Sequence, residues 1–221
     1  VFSWEEPSMK SCRKTNPIRW IAQVAILSAA AAVIMFLEFP IPFLGPFFLK
    51  FDFSEIPVLI GAFALGPLAG MAIEALKVVL NLLLDGSWSF GIGELANFLI
   101  GVAFVFPASL IYSLRKTKKN ALLGLAVGVV TMATAGALLN LFLLLPVFAA
   151  AYGTTAEAII LSYSEAIPYI VDLPTGILLG IVPFNLFKGI VISILVMLLY
   201  KRVSPLIKGR DEEECDVESK E

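Results

Sequence analysis

"IPVLIGAFALGPLAGMAIEALKVVLNLLL", Ile56–Leu84, is a nearly unbroken apolar block of 29 residues, and whether it crosses a membrane once or twice decides the fold. A helix needs about 20 apolar residues to span a hydrocarbon core of roughly 30 Å. The block is long for one crossing and short for two. "GPLAG", Gly66–Gly70, interrupts it, and Pro67 lacks the N–H that a continuous helix would use. The flanking charges break the tie, because Lys and Arg in short loops stay on the cytoplasmic side. Lys10, Arg13, Lys14 and Arg19 flank the start of the first long apolar run. "RKTKK", Arg115–Lys119, separates two later runs, and Lys201, Arg202, Lys208 and Arg210 follow the last. All three clusters share one side only if 56–84 is a hairpin.

Four other runs are long enough to cross: Ile18–Leu37, Ile92–Leu114, Ala121–Leu145 and Leu173–Tyr200. The sequence therefore predicts an all-α membrane protein of six transmembrane helices with both termini cytoplasmic. The outer segments are then Phe39–Glu55, Asp85–Gly91 and Ala149–Asp172, which together carry one basic residue, Lys50. The expected organisation is a cytoplasmic tail over 1–17, a transmembrane domain over 18–200 and a charged cytoplasmic tail over 201–221. Met9-Lys10 reads as a natural start, so residues 1–8 are set aside as non-native. Composition agrees with a multi-pass protein whose solvent is the lipid bilayer. Apolar residues make up 59% of the 221 and charged residues 15%, against about a quarter charged in soluble domains. The mean hydropathy is +0.91.

Several classes of chemistry are excluded. The chain has no His, so it has no His general base and no His metal site. Its two cysteines, Cys12 and Cys215, lie in opposite polar tails and argue neither a disulfide framework nor a metal site. It lacks the G-x-x-x-x-G-K-[ST] loop that cradles nucleotide phosphates, and no basic face interleaved with aromatics marks a nucleic-acid partner. An enzyme is not expected.

What remains is a set of polar residues inside or beside the spans, where ionisable groups default to function. Ile56–Leu65 covers only about 15 Å as a helix. "LKFDFSEIP", Leu49–Pro57, is therefore expected to dip inward and place Lys50, Asp52 and Glu55 at the mouth of an outward-facing cavity. Phe47, Phe48, Phe51 and Phe53 beside them suit a flat aromatic ligand. Asn185 and Lys188 stand at i and i+3 on one face of the last span, and Lys188 lies about 20 Å from the cytoplasmic Lys201. An ion pair with a neighbouring helix and a ligand-facing role both fit Lys188, the second better. Asn140, late in the fifth span, makes either an interhelical hydrogen bond or part of the same pocket. Glu74 and Lys77, also i and i+3, read as a structural pair. Glu94 is read as solvated, and Asn97 either reaches the cavity or caps a neighbour. Asp172 ahead of Pro174 reads as a helix cap. Ala22, Ala25 and Ala29 form a small-residue stripe that fits either packing within the bundle or docking to another membrane protein.

"FLKFDFSEIPVLIGAFALGPLAG" (Phe48–Gly70), the following Glu/Lys span, "GELANFLIG" and "NLFKG" resemble the riboflavin-specific substrate-binding (S) components of energy-coupling factor (ECF) transporters. The likeness covers about Ile18 to Tyr200. It implies a six-helix S-component fold in a bacterial cytoplasmic membrane that captures riboflavin outside the cell with high affinity. It also implies partners, a transmembrane coupling protein and two cytoplasmic ATPases. ATP is then used by those subunits, and the chain needs no cofactor of its own. The family's ligand residues fall on Asn140, Asn185 and Lys188, with Leu49, Asp52, Glu55 and Asn97 around them. Its A-x-x-x-A falls on Ala25 and Ala29, implying that the face with Ala22 docks to the coupling protein. The rival readings are an S component for another vitamin or precursor, and an ion-coupled secondary transporter using Glu74 and Lys77.

Overall fold

The computed structural model describes residues 17–41, 43–44, 49–87, 91–162, 164 and 168–199. The basic residues of both tails apart from Arg19, both cysteines, Phe47, Phe48 and Tyr200 lie outside them. The 56–84 block is broken, as its sequence requires. Helix α2, Glu55–Leu65, and helix α3, Pro67–Asp85, are separated only by Gly66 at φ 105°, a backbone conformation that suits glycine. The Gly66 N–H closes α2 on the Ala62 carbonyl, and Pro67 opens α3, where its missing N–H costs nothing. The two helices then pack on one another. They approach so closely that a Cβ at Gly70 would lie 2.5 Å from that of Ala62.

Around this hairpin stand α1 (Pro17–Met35), α4 (Ile92–Leu114), α5 (Lys118–Tyr152) and α7 (Leu173–Leu199), with the short α6 (Ala156–Leu161) between the last two. Five of these helices, α1, α3, α4, α5 and α7, are long and apolar enough to cross a membrane, which makes the chain a multi-pass membrane protein. Helix α2 has only eleven residues. Its Pro57–Phe63 stretch is buried throughout by contacts with α1, α3 and α4, which explains a helix that is apolar on every side. Helix α5 extends beyond the expected Ala121–Leu145 to Tyr152. The outer segment thought to begin at Ala149 therefore starts later and contains α6.

Two helices widen by one residue near their polar side chains. In α5, Asn140–Leu144 is a π-turn, and the Leu145 N–H reaches the Asn140 carbonyl five residues back. In α7, Ile177–Ile181 is another, and the Val182 N–H reaches Ile177. Each is followed two residues later by a proline, Pro146 or Pro183. A proline ring clashes with the carbonyl four residues before it. The wider turn accommodates that ring without ending the helix. Before Pro174, Asp172 caps α7 as expected: its Oδ1 accepts from the Thr175 N–H at 2.9 Å in a capping box. Those hydrogen bonds hold the exposed Asp172 carboxyl below its ordinary range.

Helices α4 and α5 meet backbone to backbone. A Cβ at Gly124 would stand 2.4 Å from the Ala108 carbonyl oxygen, and one at Gly128 would stand 2.7 Å from that of Phe104. Thr131 Oγ1 donates across the gap to the Ala103 carbonyl at 2.6 Å. Without a hydrophobic drive between helices in lipid, such small-residue contact and interhelical hydrogen bonds hold the pair together. The outside of the bundle is apolar, with Ile18, Ile21, Ile26 and Val33 of α1 exposed. Ala22, Ala25 and Ala29 lie exposed on α1 as well, so the alanine stripe is not used in packing among the described residues.

Candidate ligand-binding cavity

The segment leading into α2 does turn inward. After α1 the chain forms a short ladder, Phe39–Pro40 pairing antiparallel with Lys50–Phe51, and Lys50 closes it with an ion pair to Glu38. Beyond it Phe51, Asp52 and Ser54 are buried. Asp52 Oδ1 accepts from the Ser54 N–H at 2.7 Å, a local turn typical of Asp. Its Oδ2 accepts from Lys188 Nζ at 2.7 Å across 136 residues of sequence. Burial works against a charged Asp52, but Lys188 and then Lys77 outweigh it and hold the carboxyl at about 2. Its folded value is thus depressed below the ordinary 3.8. The stabilisation is complete above pH 4 and is lost as pH falls toward 2.

Next to this ion pair lies a cavity. Its lining includes Leu49, Asn140, Asn185 and Lys188 together with Glu55, Glu94 and Asn97. The structure brings all seven together. Asp52 is not in the lining, because its carboxylate is spent on Lys188 behind the wall. Of the two loop carboxylates, Glu55 is the one that borders the cavity. Lys188 is ion-paired, with Asp52 of the loop and not with a neighbouring helix, and it is also among the residues that line the cavity.

The asparagines share one arrangement. Asn140 Nδ2 donates to the Gly136 carbonyl at 2.7 Å, and Asn185 Nδ2 donates to the Ile181 carbonyl at 2.9 Å. Each amide is thereby anchored to its own helix at a π-turn. Asn140 Oδ1 is buried and accepts no hydrogen bond among the described residues. Gly136 makes the pairing possible. A Cβ there would lie 2.7 Å from Asn185 Nδ2 and 3.1 Å from its Cγ, so only glycine lets α7 bring that amide against α5.

Two expectations need correcting and a third is extended. Phe51 and Phe53 do not wall the cavity; they meet edge-on at 5.1 Å, with Phe187 packed on Phe51 at 5.8 Å. The aromatic lining comes from Phe148 and Phe184, which carried no distinguishing signal among so many apolar neighbours. Glu94 is not solvated: it is buried and accepts from Ser87 Oγ at 2.9 Å. The Glu74–Lys77 pair is present at 2.7 Å, but Lys77 also binds Glu55 at 2.9 Å. Asn81, one helical turn beyond Lys77, also lines the cavity and was missed.

Residues 19–200 match the family described as "ECF transporter, substrate-specific component". The chain belongs to this family. It is similar to the riboflavin transporter RibU of Staphylococcus aureus (strain TCH60), 37% identical over 185 residues, covering 84% of this chain and 90% of that protein. It is also similar to the riboflavin transporter FmnP of Bacillus subtilis (strain 168), 35% identical over 192 residues, covering 86% and 95%. A solved structure described under "Structure and mechanism of the S component of a bacterial ECF transporter" superposes with a TM-score of 0.67. It has 34% sequence identity and covers 87% of this chain and 99% of that one. This S component is a transporter subunit and not an enzyme.

Proposed function

We propose that this S component captures riboflavin from outside the cell, with high affinity, in an outward-facing cavity. In this reading α2 counts as the sixth membrane-embedded helix, both termini are cytoplasmic, and the chain sits in a bacterial cytoplasmic membrane. It serves an ATP-driven importer with a transmembrane coupling protein and two cytoplasmic ATPases. The exposed Ala22, Ala25 and Ala29 face is where the coupling protein docks. The relatives named as riboflavin transporters support the ligand, and the family supports the assembly.

The observation that carries the ligand assignment is Asn140 Oδ1, a buried acceptor without a partner among the described residues, in a lining it shares with Asn185 and Lys188. The pyrimidine edge of isoalloxazine presents an N–H donor between carbonyl acceptors. Asn140 Oδ1 accepts that N–H, and the second amide hydrogen of Asn185 donates to a flanking carbonyl. Lys188 donates to another ring acceptor while Asp52 keeps its charge balanced. Phe148 and Phe184 supply apolar wall for the rings. Glu55 and Asn97, also in the lining, meet the ribityl hydroxyls.

The test is a visible absorption spectrum of the purified protein, with flavin released on denaturation. Flavin bands near stoichiometry are expected. A colourless protein that also fails to bind added riboflavin refutes the ligand and leaves an S component for another vitamin or precursor. A flavin methylated at the ring N–H is expected to bind about 10–100-fold more weakly, because Asn140 Oδ1 stays unsatisfied at about 1–3 kcal/mol. Equal affinity in competition titrations would overturn the assigned ring orientation.

A further inference from the structure

Behind the cavity wall the buried charges do not cancel. Asp52 and Lys188 balance each other. Lys77 faces two carboxylates, Glu55 of α2 at 2.9 Å and Glu74 of its own helix at 2.7 Å. All three side chains are at most 1% exposed. The site is therefore one carboxylate in excess. Glu55 Oε2 and Glu74 Oε2 accept no hydrogen bond among the described residues.

Among the described residues no other group supplies the missing positive charge. Asp52, on the loop before α2, also acts on the site, but it is negative and already paired. Lys188 of α7 is bound to it. From α4 the site meets bare backbone: a Cβ at Gly101 would lie 2.3 Å from Glu74 Oε1 and 3.1 Å from Glu55 Oε1. Both carboxylates thus press on the same spot of α4, held close by geometry. Two like charges so near each other and out of water, with one ammonium between them, leave an uncompensated buried ion, which is strongly destabilising. A metal ion fits poorly, since the Lys77 ammonium already occupies the centre between the carboxylates.

We propose that Glu55 and Glu74 hold one proton between them, making the Glu55–Lys77–Glu74 cluster a neutral proton-binding site at the junction of α2, α3 and α4. The proton completes the buried charge count and lets α2 and α3 close on each other. Glu55 also borders the cavity, so this proton sets the charge of the wall that the ligand meets. The inference does not depend on which ligand the cavity takes.

Infrared spectroscopy of the full chain in detergent at pH 7, in H2O and D2O, tests it. A deuterium-sensitive C=O stretch of a protonated carboxyl group is expected in the parent protein. Glu74→Gln is expected to abolish it, with thermal stability retained because the amide stands in for the neutral acid. If Glu74→Gln does not fold, Glu55→Gln gives the same readout. Absence of the band in the parent overturns the proposal, and so does a band that survives in both single variants. Stability that depends on Na+ or K+ with no carboxyl band would assign the balancing charge to an alkali cation and overturn it equally.

Discussion

Asp52→Ala is expected to weaken riboflavin binding by two to three orders of magnitude, although Asp52 does not line the cavity. The substitution leaves Lys188 Nζ buried without the carboxylate that now lies 2.7 Å away. Removing one partner of a buried ion pair costs about 3–5 kcal/mol, and each 1.4 kcal/mol is about tenfold in affinity. The ammonium escapes that cost by turning away from the ligand, so loss of affinity and loss of stability arrive together. The double variant Asp52→Ala/Lys188→Met separates them: it is expected to recover much of the stability but not the affinity. Fluorescence titration with riboflavin and thermal denaturation of each variant supply both readouts. An unchanged dissociation constant in Asp52→Ala would show that Lys188 needs no fixed position.

Gly136→Ala is the second large effect. The added methyl carbon would sit 2.7 Å from Asn185 Nδ2 and 3.1 Å from Cγ, well inside contact distance. Asn185 cannot simply swing aside, because that nitrogen is committed to the Ile181 carbonyl at 2.9 Å. Overpacking of this kind costs about 1–3 kcal/mol. Here it falls on the amide proposed to meet the ligand, so affinity is expected to drop about 10–100-fold with only a small change in melting temperature. Gly124→Ala makes the contrast. Its methyl would strike the Ala108 carbonyl at 2.4 Å, which is backbone and cannot rotate away. That variant is expected to lower the melting temperature more than any change in affinity explains. If Gly136→Ala lost stability and kept its affinity, the placement of Asn185 against α5 would not matter for binding.

Much of this fold could be read from where the chain cannot be continuous or cannot be neutral. Gly66–Pro67 had to break a helix, and the structure divides α2 from α3 there. Asn140, Asn185 and Lys188 stood out because polar groups are costly in lipid, and the structure places all three in the lining of one cavity. The partner of Lys188 was not legible. Asp52 is 136 residues away, and nothing local in either segment specifies that contact. For the same reason Glu55 looked like a free loop carboxylate, when its Oε1 in fact completes the Lys77 cluster. The π-turns left a trace that was not followed: Pro146 and Pro183 sit within helices that do not end at them. Phe148 and Phe184 left no trace, since hydropathy cannot tell a residue facing a cavity from one facing a lipid chain.

The glycine contact between α4 and α5 has a consequence for movement. Packed segments adjust by sliding or by hinging. Two helices seated carbonyl-deep in each other, with Thr131 pinned to Ala103, have no clearance for either. They travel as a single plate. Any opening of the cavity must then displace other lining elements, the loop, α2, α3 or α7, relative to that plate. The site of motion is set as firmly by where the chain cannot shear as by where it can.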